Sequence, residues 1–134
     1  MKYFLCAFDT IYLGISSECI ERIMSVARTQ SSVHETEEQT TFISLPLLFR
    51  CEDLPAPHGI VLKPGSSAGE ERKTILLIPP LDIELEIPEE DIYSVPKTFS
   101  GILRYCKGAC FINSGKEERL IFTLDTEKLT GDYK

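Results

Sequence analysis

Residues 75 to 92 read ILLIPPLDIELEIPEEDI. The first four form an unbroken apolar run of the kind found in a buried strand. Pro79 and Pro80 interrupt it, and from Leu81 to Ile87 apolar and acidic residues alternate. A paired strand does not accommodate two prolines, because each removes a ladder N–H donor. The chain is therefore expected to bend or stop pairing at the proline pair, at a sheet edge or a bulge.

On either side of this stretch, strand-like segments dominate. Lys2–Phe8, Ile11–Ile15, Thr41–Leu48, Gly59–Leu62, Lys73–Ile78, Asp82–Ile87, Ala109–Asn113 and Leu120–Leu124 are short and rich in β-branched and aromatic residues. Turn chemistry separates them at Asp9-Thr10, Pro64-Gly65 and Ser114-Gly115. Many short strands at this spacing point to an all-β barrel or sandwich. Helical signals are few. SSECIERIM offers Ser17 as an N-cap and Ile20, Ile23 and Met24 on one face, and DTEKL near the end fits a single turn. TQSSVHETEEQT (29–40) and PGSSAGEER (64–72) read as loops. FISLP (42–46) and IFTLD (121–125) share an outline, which fits two similar lobes, one over about 1–56 and the other over about 57–134.

The 134 residues suit one domain, 43% hydrophobic and 26% charged. A net charge of −7 disfavours nucleic acid and anionic membrane as partners, since both are bound through clustered Lys and Arg. No apolar run approaches the roughly 18–20 residues needed to span a bilayer, and MKYFLCAFDT lacks a signal-peptide pattern. The expected compartment is the cytoplasm. Five cysteines fit it, most of them among apolar neighbours. Cys106 and Cys110 have neither redox nor zinc-knuckle spacing; Lys107-Gly108 reads as a turn with the two cysteines on adjoining strands.

Catalytic signatures are few. The sequence holds no P-loop, GxGxxG or HExxH, and its one GxSxG match, GSSAG (65–69), falls inside the Gly/Ser-rich stretch read as a loop. Asp82, Glu84 and Glu86 would share one strand face. Glycoside hydrolysis would need one such carboxyl desolvated enough to keep its proton, whereas regular alternation is the pattern of a half-exposed strand. The residues read as a binding module with no catalytic set, metal or cofactor.

LLIPPLDIELEIPEEDIYSVP resembles the second half of the CheW family, the adaptor domain of bacterial chemotaxis arrays, where a V-D-x-V strand runs into an L-P-E-E-D-I turn and then a proline. Ile78 and Leu81 take the two Val positions. FSGILRYCKGACFI fits the family's y-i-x-G-v strand through Gly101-Ile102, LIFTLDTEKL fits its closing l-l-L-D-l-x-k-L, and YFLCAFDTIYLGISSECIERI fits its opening hairpin and helix. The resemblance implies two small SH3-like five-stranded β-barrels packed together, with one short helix. It also implies a non-enzymatic adaptor joining chemoreceptor cytoplasmic tips to the regulatory domain of the histidine kinase CheA.

Several positions depart from the family pattern. Pro79 stands where the family has Asp, so Pro79→Asp is expected to be tolerated. The family's receptor-facing N-L-R-G turn is missing, with Arg28 the sole basic residue of that stretch, so the first barrel could be short of a strand. The family's helix Glu falls on Arg22, with Glu21 one place early. The expected partner contacts are Glu21 and Arg22 on that helix, and Pro46, Leu48 and Arg50 around the first-half strand. Leu48 also reads as core and Arg50 as a solvated strand end. The alternative function is a stand-alone interaction domain in another two-component or motility system, no longer bound to kinase or receptor.

Overall fold

The computed structural model describes residues 1–8, 10–63, 73–95, 104–114 and 117–133. Its strands are β1 (Lys2–Phe8), β2 (Ile11–Ser16), β3 (Ile20–Ser25), β4 (His34–Glu37), β5 (Thr40–Ser44), β6 (His58–Leu62), β7 (Lys73–Ile78), β8 (Leu81–Glu86), β9 (Tyr93–Ser94), β10 (Cys106–Ser114) and β11 (Glu117–Leu124). Two short helices, α1 (Leu45–Leu48) and α2 (Thr126–Asp132), follow β5 and β11. The strands form a six-stranded sheet, β8-β1-β2-β11-β10-β9, and a five-stranded sheet, β3-β6-β7-β5-β4.

The proline pair marks where the chain changes sheets. Ile78 ends β7 in the smaller sheet and Leu81 opens β8 in the larger one, with Pro79 buried and Pro80 exposed between them. Having no N–H, neither proline can continue a ladder, so pairing stops there. The preceding run is apolar throughout because β7 is covered on both faces. Leu76 and Ile78 enter the core between the sheets, and Ile75 and Leu77 the core on the far face of the smaller sheet.

The chain also changes sheets at a 3-10 turn, Ser17–Cys19, where Ser16 Oγ accepts from the Glu18 N–H at 3.3 Å. The two crossings reveal a repeat. In each half an antiparallel pair (β1-β2, β6-β7) lies in one sheet, and the chain then crosses to supply an edge strand, a second antiparallel pair and a helix to the other. The strand before each helix makes a parallel ladder, β5 with β7 and β11 with β2. The FISLP and IFTLD segments are those equivalent strands. Each half thus contributes to both sheets, which the chain joins at the two crossings.

The inter-sheet core joins Phe8, Leu13, Ile15 and Leu124 of the larger sheet to Ile43, Ile60, Leu62 and Leu76 of the smaller, with Leu45 of α1 and Leu129 of α2 fully buried among them. Phe8 and Phe49 meet edge to face at 5.3 Å across the seam.

The structure corrects several expectations. The sheets are open rather than closed five-stranded barrels, and the smaller has its full five strands. The helix expected over SSECIERIM is limited to Ser17–Cys19; from Ile20 the chain is strand β3 on β6. An isolated two-turn helix is marginal, whereas β6 offers a complete ladder. The strand expected to reach Leu48 ends at Ser44, whose hydroxyl caps Leu47 N at 3.3 Å as Pro46 enters the first turn of α1. Within the expected 29–40 loop, β4 pairs with β5 through a turn in which Glu38 has φ 56°. Cys106 and Cys110 lie on one strand, and Lys107 occupies a bulge rather than a turn. The helix signalled by DTEKL is present as α2, capped by the Asp125 carboxylate. Gly101-Ile102 and the 64–72 loop lie outside the described residues. On β10 a close approach is required at Gly108, where a Cβ would come within 2.5 Å of Ile92 Cγ2.

Candidate docking surface

The open sheets leave four edge strands among the described residues: β8 and β9 on the larger sheet, β3 and β4 on the smaller. An edge displays unpaired N–H and C=O groups, and natural proteins blunt it with charge, shortness or irregularity unless it has a use. Strand β9 is two residues long. Strand β4 carries Glu35 and Glu37, held by Arg28 at 3.6 and 2.8 Å, while the same guanidinium lies 4.0 Å from the centre of the Phe42 ring.

Strand β8 is blunted by its acidic row. Glu84 pairs with Lys2 at 2.9 Å, Glu86 with the amino terminus at 2.8 Å, and Asp82 accepts from the Tyr12 hydroxyl at 2.9 Å. The amino terminus holds the Glu86 carboxyl below its ordinary range, and Glu84 holds the Lys2 ammonium above its own. A general acid needs the opposite shift, a carboxyl kept protonated by desolvation. The buried thiols are equally unsuited to nucleophilic work: burial pushes Cys6 and Cys106 up to about 12 and raises Cys110.

Strand β3 differs. Val26 N donates to Pro57 O at 3.0 Å, and the register pairs Met24 with Gly59 and Arg22 with Val61. Antiparallel alternation then leaves the N–H and C=O of Ile23 and Ser25 facing away from β6. Ile23 and Met24 are each 37% exposed. They project to opposite faces, Ile23 beside Ile60 of the inter-sheet core, and Met24 over Gly59, where a Cβ would already lie 2.7 Å from Val26 Cγ2. A register shift between Ile20 and Arg22 puts Glu21 at a bulge. Glu21 and Arg22 are exposed and have no ion pair among the described residues.

The structure thus places two of the five expected contact residues on this edge. The other three lie elsewhere, since β6 and β7 separate β3 from β5 and α1. Pro46 is buried, Leu48 is half-buried against the inter-sheet core, and Arg50 is exposed just beyond α1 with φ 58°. Ile23 and Met24 were missed as surface residues because helical spacing grouped them on one face of an expected helix. An exposed aromatic pair, Tyr93 (70%) and Phe111 (62%), was also missed. Tyr93 lies opposite Ala109, two residues from Phe111 on the same face.

No protein-family model matches the sequence, and no curated protein matches it. Solved structures do match. The crystal structure of the scaffolding protein TtCheW from Thermoanaerobacter tengcongensis is similar over 92% of this chain and 82% of that one, with a TM-score of 0.67 at 14% identity. Among the described residues no helix is long and apolar enough to cross a membrane. With its two sheets and crossing halves, this chain has a CheW-like fold.

Proposed function

We propose that this protein is a cytoplasmic, non-enzymatic adaptor of the CheW type, coupling chemoreceptor cytoplasmic tips to the regulatory domain of the histidine kinase CheA. The observation that carries the reading is the open edge of β3 on a CheW-like fold: outward backbone groups at Ile23 and Ser25, flanked by exposed Ile23 and Met24. Such an edge accepts a strand of a partner by main-chain pairing, with side chains on alternate faces giving specificity. In this reading the kinase domain docks on β3, Glu21 and Arg22 contribute polar contacts at its bulged end, and Arg50 is a separate contact. Pro46 and Leu48 act by fixing the α1 turn.

The test is a calorimetric titration with a CheA regulatory domain from the same cell. Micromolar or tighter binding is expected. A folded sample that releases no binding heat at high concentration contradicts the reading.

One observation favours a stand-alone interaction domain instead. The stretch without the N-L-R-G turn has a single basic residue, Arg28, and its guanidinium is taken up by Glu35, Glu37 and Phe42. A folded sample that binds neither receptor-tip peptides nor the kinase domain would support that reading.

A further inference from the structure

The edges differ in what a second copy of this chain would meet there. Isologous pairing sets an edge against itself. On β8 it would oppose two rows of Asp82, Glu84 and Glu86, and on β4 two sets of Glu35 and Glu37. Like charges directly opposite destabilise a sheet, and β9 has only two residues to offer. Strand β3 carries one Glu and one Arg, so it is locally neutral in a chain of net charge −7.

Geometry then selects a register. Outward backbone groups sit on Ile23 and Ser25, so two β3 strands can bond only if such residues face each other. Centring the two-fold on Ile23 satisfies this. It sets Ile23 against Ile23 of the second copy, Arg22 against Met24 and Glu21 against Ser25, with no like charges opposed. Centring it on Arg22 would set two guanidiniums face to face, and centring it on Met24 would leave Glu21 and Arg22 without opposite residues inside the strand.

We propose that β3 is a self-docking edge: two copies of this chain pair antiparallel through β3 about a two-fold axis at Ile23, fusing their smaller sheets into one. The inference uses the edge assigned above to the kinase but does not depend on kinase binding. If both hold, self-pairing and kinase docking exclude each other.

The experiment is sedimentation equilibrium of the full chain from low micromolar to millimolar concentration. A reversible dimer is expected. Ile23→Pro removes an outward N–H and spares the ladder to β6, as an edge strand tolerates; it should leave a monomer. Arg22→Glu is an exposed charge change that leaves the fold intact. It adds like charge on both strands and should weaken the dimer roughly tenfold. Glu84→Lys on β8 should leave the dimer constant unchanged. Under oxidation, Ile23→Cys should cross-link two copies, because facing Cα atoms about 5.5 Å apart suit a disulfide, and Arg22→Cys should not. A wild-type chain monomeric throughout overturns the proposal, as does a dimer indifferent to Arg22→Glu or one cross-linked through position 22 and not 23. Because dimerisation is read without the kinase, a failed kinase titration beside an intact dimer sinks the adaptor reading alone, and the reverse result sinks only this one.

Discussion

Strands β3 and β8 occupy the same place in the two halves of the molecule. Each follows a crossing between sheets, and each is an edge lying antiparallel to the first strand of the other half's pair, β3 on β6 and β8 on β1. Their surfaces differ. Strand β8 carries three carboxylates engaged by Lys2, the amino terminus and Tyr12; β3 carries two exposed apolar side chains, and a Glu and an Arg with no ion pair among the described residues. Equivalent positions in one scaffold have become a closed edge and an open one. Backbone topology makes an edge available, and side-chain charge decides whether it is used.

The largest expected effects test the equivalence of the halves. Leu45 of α1 and Leu129 of α2 are both fully buried at the seam. Either Leu→Ala change should cost about 2–5 kcal/mol in denaturant unfolding. A cost at Leu45 with none at Leu129 would show that α2 does not close the core as α1 does. At the crossings, Pro79→Asp should be less tolerated than the family pattern implies, because Pro79 is buried. An unpaired polar group there should cost roughly 1–3 kcal/mol, about 3–10 °C in melting temperature for a domain of this size. At the other crossing Ser16→Ala loses a capping hydroxyl and should cost about 0.5–1 kcal/mol. A Pro79→Asp protein melting with the wild type would show that the crossing admits water.

Smaller effects separate the edges. Ile23→Lys and Ile83→Lys both alter exposed side chains, 37% and 44% accessible. Each should change stability by no more than about 0.5 kcal/mol, so binding differences between them will not reflect unfolding. The smallest effect belongs to the ion pairs of β8. Glu86, its folded value lowered from 4.5, contributes above that pH and loses its contribution as pH falls through the lowered value. Lys2, raised from 10.5, contributes below that pH and loses its contribution as pH rises through the raised value. Glu86→Gln should therefore lower the melting temperature slightly at neutral pH and low salt, an effect that fades as pH falls through the lowered Glu86 value, and the difference should vanish at high salt because the groups are exposed. A difference that survives in salt would place the pair in a less solvated setting than the structure gives it.

Much of this was legible in the sequence, and the exceptions have physical reasons. Short runs rich in β-branched and aromatic residues located β1, β2, β6, β7, β8, β10 and β11, and DTEKL signalled a helical turn where α2 stands. Strand β3 was misread because Ile20, Ile23 and Met24 also satisfy helical spacing, and only the ladder to β6 decides between the two. Strand β4 is too polar to signal itself and is held by β5 and Arg28. Sheet membership depends on pairings such as Phe4 with Glu84, which no local pattern records. The proline pair marked a break in pairing, yet that the chain changes sheets there required its neighbours in space. Glu21 and Arg22 were located as candidate contacts, while the apolar residues beside them became visible only once the strand was known to be an edge.

The most direct test is to titrate the CheA regulatory domain against the wild type, Ile23→Lys and Ile83→Lys by calorimetry. The account predicts that wild type and Ile83→Lys bind alike while Ile23→Lys loses binding by at least tenfold. Retained binding by Ile23→Lys, with loss in Ile83→Lys, would contradict it and move the docking edge to β8.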